Sequence, residues 1–236
     1  MSEPVVLIPG LMADARLFLP QMVALGARHS FQVCLPVGGQ SVEDISSLIL
    51  AQVPQKFALV GHGLGGAVAL DIIRRAPERV TRVVLMATDP LAETPVMAAA
   101  REARIVAARA GRLGQAMAEE IPAAALAPAE WRDDVLALIR DMAFNLGEGV
   151  FLRQSRALQR RPDQQKTLRK SMLPTLVIAG MADTVVPLRR AEFLAGIMPF
   201  ATLHPVADAG HLPSLEQPEE VSEALARFLS GPVLLK

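Results

Sequence analysis

The stretch Phe57-Ala58-Leu59-Val60-Gly61-His62-Gly63-Leu64-Gly65-Gly66 decides how this chain is read. The unbroken apolar run Phe57–Val60 suits a short strand buried on both faces. From Gly65 to Ala76 the residues form a helix that is apolar on most faces until Arg74-Arg75, and Pro77 stops it. Between them, Gly61 and Gly65 lie two positions either side of Gly63, where small residues let a strand reverse tightly into a helix. The apex of such a turn is held in a strained backbone conformation that costs a non-glycine residue about 1–3 kcal/mol. Glycine adopts it freely. Gly63 therefore leaves bare backbone at a point from which this turn would project a side chain.

Outward from this turn, further apolar runs end in turn residues. They are Val5–Ile8 before Pro9-Gly10, Phe31–Leu35 before Pro36, Val83–Met86, Leu176–Ala179 and Ala201–Val206. Helical patterns separate them. Ser41 is an N-cap with Asp44 three residues on, ahead of Ile45, Leu48, Ile49 and Val53. Leu188 to Met198 is another helix. Pro218 opens a last one, with Val221, Leu225, Phe228 and Leu229 on one face. The alternation predicts an α/β fold, a mostly parallel sheet flanked by helices. Residues 91–172 break the rhythm and contain no convincing strand. Pro95–Ala110, Leu113–Glu120, Ala129–Asn145 and Gly149–Gln159 are the helices expected there. The reading is a core of 1–90 and 173–236 carrying a helical cap, 91–172, over the sheet edge where α/β proteins place ligands.

The bulk composition narrows the function classes. A chain of 236 residues, 51% hydrophobic and 20% charged, can bury a sizeable core. The 24 basic and 24 acidic residues cancel, which gives no pull toward nucleic acid or an anionic membrane. A single cysteine, Cys34, excludes an internal disulfide framework and a cysteine-based metal cluster. It reads as a small buried hydrophobe. No basic leader and no spanning run is read, so the expected location is the cytoplasm.

Three positions carry the chemistry. Gly61-x-Gly63-x-x-Gly66 matches a dinucleotide fingerprint, but the strand before it is the third, and no acidic residue ends a strand about twenty residues on. Gly180-Met181-Ala182-Asp183 delivers a carboxylate to a loop after a buried strand, where it can accept a hydrogen bond from an imidazole. Taken alone, such an Asp is more often a turn former. Ala209-Gly210-His211-Leu212-Pro213 places a histidine before the last helix. The order of elbow, acid and histidine is what gives each of them weight.

With these residues in place, the chain resembles a capped α/β-hydrolase of the small bacterial carboxylesterase type. The likeness runs from Val5-Val6-Leu7-Ile8-Pro9-Gly10-Leu11 to Gly210-His211-Leu212-Pro213-Ser214-Leu215-Glu216-Gln217-Pro218. It implies that Asp183 is the triad acid and His211 the base, and that Gly63 stands at the nucleophile position of the G-x-S-x-G elbow. It also implies an oxyanion hole built from the N–H groups of Leu64 and Leu11, with His62 and Met12 as pocket residues. The substrate class implied is a small ester, with no cofactor and no metal. Two departures stand out: the loop often written His-Gly reads Pro9-Gly10, and Gly63 replaces the serine. Loss of the nucleophile can cost a serine hydrolase about 10⁶ in turnover, leaving on the order of 10³–10⁴ over water.

Neither Cys34, Ser46, Ser47 nor Ser214 stands where it could replace the missing hydroxyl, and Asp89 is an alternative acid only. Two other readings stay open. One is a non-enzymatic small-molecule binder on this fold. The other is nucleophile-independent lyase or oxygenase chemistry with His211 as base. Met97, Met117, Met142, Phe144 and Phe151 are the expected apolar walls of the cap. The run Arg153, Arg156, Arg160, Arg161, Lys166, Arg169 and Lys170 reads first as a solvated helix face and second as a site for an anionic substrate or partner.

Overall fold

The computed structural model describes residues 3–231. Among these residues six strands form one sheet: β1 (Val5–Ile8), β2 (Phe31–Val33), β3 (Phe57–His62), β4 (Val80–Met86), β5 (Thr175–Gly180) and β6 (Ala201–Val206). Their order is β2-β1-β3-β4-β5-β6, and every pairing among the described residues is parallel. β1, β3 and β5 are buried at every position, as their continuous apolar sequences require. β2 and β6 lie at the edges and are partly exposed. That explains why β2 stops at Val33, short of the expected Leu35.

Among the described residues eleven α-helices accompany the sheet. On the core are α1 (Leu19–Leu25), α2 (Val42–Leu50) and α3 (Leu64–Arg75). Between β4 and β5 come α4 (Pro95–Arg109), α5 (Leu113–Glu120), α6 (Arg132–Leu146), α7 (Glu148–Gln159) and α8 (Gln165–Lys170). After β5 come α9 (Leu188–Ile197), α10 (Pro213–Glu216) and α11 (Pro218–Leu229). α1 packs on α11 and α2 on α3. Ser41 caps α2 as expected, its side chain accepting from the Asp44 N–H at 3.1 Å. The short helices α1, α8 and α10 have too few turns to show a period in the sequence. Ser214 is buried inside the short helix α10. No helix among the described residues is long and apolar enough to cross a membrane.

The strand order sets the position of the site. From β1 the chain goes to β2 on one side and then returns to β3 on the other. In open α/β sheets, ligands bind at such a reversal, outside the carboxyl ends of the strands. The loops that leave β1 and β3 there are Pro9–Met12 and the turn at Gly63.

Candidate active site

At the end of β3 the backbone turns at Gly63 with φ 51° and ψ −111°, and α3 begins at Leu64. Gly65 is required by proximity: a Cβ there would stand 1.9 Å from the Ile8 carbonyl oxygen, so β1 and α3 could not approach so closely. Gly63 is different. A Cβ there would meet only the Gly10 Cα, at 3.9 Å, an ordinary contact. The space a side chain would use is present. Leu64 opens α3, so its N–H belongs to the first turn, which has no acceptor within the helix. Leu11 and Leu64 line the same cavity as Gly63.

His211 is held on several sides. Its Nδ1–H donates to Asp183 Oδ2 at 2.9 Å, and the other Asp183 oxygen accepts from the N–H groups of Val185 and Val186 at 2.7 and 3.0 Å. Its own N–H donates to the Ala125 carbonyl at 2.7 Å. Its carbonyl accepts from His62 Nε2–H, also at 2.7 Å. Burial opposes a charge on the His211 imidazole. The Asp183 carboxylate, the hydrogen bond to it, and the Glu120 and Glu216 carboxylates outweigh that, so the imidazole stands above the ordinary histidine value. His62 goes the other way. Burial first, and the nearby His211 second, push it down to about 4, so it is neutral at pH 7. His62 and His211 both border the cavity, their rings edge to face with centroids 5.2 Å apart.

Two buried side chains that sequence reasoning missed complete this frame. Glu216, on α10, accepts from three backbone N–H groups: Gly210 at 2.7 Å, Leu212 at 2.8 Å and Ala127 at 2.8 Å. It thereby ties both neighbours of His211 to the segment between α5 and α6. Gln154, on α7, accepts from the Met12 N–H at 2.7 Å and donates to the Pro36 carbonyl at 3.1 Å. Met12 has φ 55°, a left-handed conformation in a non-glycine residue, and Gln154 satisfies the N–H that this turn leaves facing inward. Glu216 lay five positions beyond a singled-out histidine and could have been suspected. Gln154 gives no local signal, because its partners are over a hundred residues away.

Several expected residues stand elsewhere. Leu11 and Ala13 line the cavity, whereas Met12 between them is fully buried outside that lining. Of the expected apolar walls, Met97 reaches the cavity. Met142 and Phe151 are core residues and Phe144 is exposed, because its face of α6 turns to solvent. The basic run is not a uniform solvated face: Arg156 pairs with Glu102, Arg153 donates to the Val37 carbonyl, and Arg161 is buried against the cavity. Cys34 is buried and burial pushes its thiol up, as suits an inert residue.

A parallel sheet with an elbow after β3, a carboxylate after β5 and a histidine after β6 defines the class of α/β hydrolases. The chain belongs to the Alpha/beta hydrolase family, whose sequence pattern matches residues 5–224. It is 30% identical, over 95% of its length and 92% of the relative, to a pimeloyl-[acyl-carrier protein] methyl ester esterase of Aromatoleum aromaticum. Among solved structures it resembles a thermophilic esterase from Thermogutta terrifontis, with a TM-score of 0.85 and 25% identity over 97% of this chain and 90% of that one. An enol-lactonase from Burkholderia xenovorans shares the fold, with a TM-score of 0.85 and 20% identity over 98% and 93% of the two chains.

Proposed function

We propose that this chain is a carboxylic-ester hydrolase for a small ester, disabled at one position by Gly63. Asp183 is the acid and His211 the base. The N–H groups of Leu11 and Leu64 form the oxyanion hole, and residues 91–172 act as a cap over the cavity. With serine at 63, His211 Nε2 would take the Oγ proton as Oγ attacks the ester carbonyl. The oxyanion would be held by the two N–H groups, and the alcohol would leave with the proton from His211. Water would then release the acyl group by the same route. As written, the chain binds its ester and turns it over very poorly.

The observation that carries this reading is Gly63 itself: an elbow backbone strained for any side chain, with open room for a Cβ, beside an intact Asp183–His211 pair. The test is hydrolysis of a short-chain aryl ester by the chain and by Gly63→Ser, with His211→Ala added as control. Serine is expected to raise turnover by several orders of magnitude, and His211→Ala to remove the gain. A folded Gly63→Ser protein with no gain overturns the reading. In that event the intact acid–base pair favours base chemistry that needs no nucleophile, on a substrate with an acidic proton.

A further inference from the structure

The helices between β4 and β5 bring charge to the cavity wall. Arg101, Glu120 and Arg161 line it, joined by Asp89 after β4. Arg101 is fully partnered, to Glu93 at 2.7 Å and Glu120 at 2.9 Å, and Arg104 holds the other Glu120 oxygen at 2.6 Å. Arg161 is not. Its Nη1 shares Glu93 with Arg101, at 3.1 Å, and donates to the Leu158 carbonyl at 3.4 Å, and its Nε donates to the Leu91 carbonyl at 2.8 Å. Its Nη2 lies 3.7 Å from Asp89 Oδ2, beyond hydrogen-bond distance, and Arg190 reaches the same oxygen only at 3.8 Å. Four guanidiniums thus meet three carboxylates, so cations outnumber anions in this wall; Arg161 Nη2, which faces Asp89 without bonding it, is a charged donor left with capacity to spare. The Arg161 side chain is only 7% exposed, and a cation so buried is costly without a full set of partners. Burial pushes its guanidinium down, Arg101 adds to the push, and Glu93 and Asp89 do not make up the difference.

We propose that the Arg161 end of the cavity is a carboxylate subsite, so that the ligand is a half-ester of a short dicarboxylic acid. The free carboxylate accepts from Arg161 Nη2 in a charge-assisted hydrogen bond. The ester end lies toward Gly63 and His211. A cationic ligand fits less well, because the Glu120 oxygens are taken by arginines and Asp89 already faces two. The ester end of this assignment rests on the hydrolase reading above; the carboxylate end does not.

Binding tests it on the chain as it stands, with no turnover needed. Calorimetric titration with monomethyl succinate and with dimethyl succinate is expected to show the half-ester at least about tenfold tighter. Arg161→Gln should remove that preference, and Arg161→Lys, which keeps the charge, should restore part of it. Equal binding of the two esters, or binding of neither, overturns the subsite even if Arg161→Gln does not fold. A preference that survives in folded Arg161→Gln also overturns it. Half-ester binding together with an inert Gly63→Ser variant sinks the hydrolase reading and leaves the subsite. Active Gly63→Ser with no half-ester preference does the reverse.

Discussion

Replacing Gly63 by serine and, separately, by alanine isolates the energetic cost of filling the elbow from its chemical consequence. At φ 51° and ψ −111° the backbone lies outside the regions an L-residue favours. Holding a side chain there costs about 1–3 kcal/mol. No clash adds to this, because the nearest atom to a new Cβ is 3.9 Å away. The stiffer unfolded chain returns up to about 1 kcal/mol. A net loss of about 1–2 kcal/mol lowers the melting temperature of a chain of this size by about 2–8 °C. Thermal and denaturant unfolding, followed by circular dichroism, would measure it. Both variants should fall by nearly the same amount, since the cost belongs to Cβ, and only the serine should gain esterase activity. If both melt at or above the parent, position 63 is not strained and the argument that glycine relieves an elbow fails.

Other substitutions probe the frame around His211. Glu216→Gln keeps one good acceptor for three buried N–H groups, so about 1–3 kcal/mol of stability should be lost, seen as a lower denaturant midpoint; an unchanged midpoint refutes the role. In a Gly63→Ser background, Gln154→Met should lower kcat at least about tenfold with little change in KM, since it loosens the loop carrying the proposed oxyanion donor, Leu11 N–H. A rise in KM alone would mean that Gln154 only shapes binding. For His62 the folded value, about 4, lies below the ordinary 6.5, so its neutral form is favoured. Its contribution is complete above pH 6.5 and is lost as pH falls toward 4, roughly 3 kcal/mol in all. His62→Gln should flatten the stability profile across that window. For His211, raised above 6.5, the base is neutral only at higher pH, so turnover by the Gly63→Ser variant should climb on a limb centred above pH 6.5. A limb centred below 6.5 would contradict the Asp183 pairing.

The central strands could be read from the sequence because burial on both faces leaves continuous apolar runs, as at Phe57–Val60 and Leu176–Ala179. The elbow could be read because close approach admits only glycine, as at Gly65. Asp183 and His211 emerged from their order in the chain. What stayed hidden depends on long-range partners. Arg161 sits in a basic run and looks solvated until the fold sets it beside Asp89 and Glu93. Gln154 is an ordinary helical residue until Met12 arrives 142 positions away. Hydrophobic side chains at helical spacing suggest cavity walls, but spacing marks a face and not what lies opposite it, as exposed Phe144 demonstrates.

The helical segment between β4 and β5 bonds directly to the loops of the candidate site. Ala125 fixes the His211 N–H, Ala127 shares Glu216 with the residues on either side of His211, and Gln154 fixes the Met12 N–H beside Leu11. The sheet alone supplies none of these bonds. The loop carrying the histidine and the loop after β1 are therefore braced from the same insertion, on two of its separate segments. A shift of the insertion, on ligand entry for example, would reach both loops together. Under the proposed roles, the geometry of base and oxyanion donors would follow occupation of the cavity that Arg101, Glu120 and Arg161 help to line. Hydrogen exchange at the Met12 and His211 amides should slow together when a cavity ligand binds. Protection of one without the other would show that the two braces act independently.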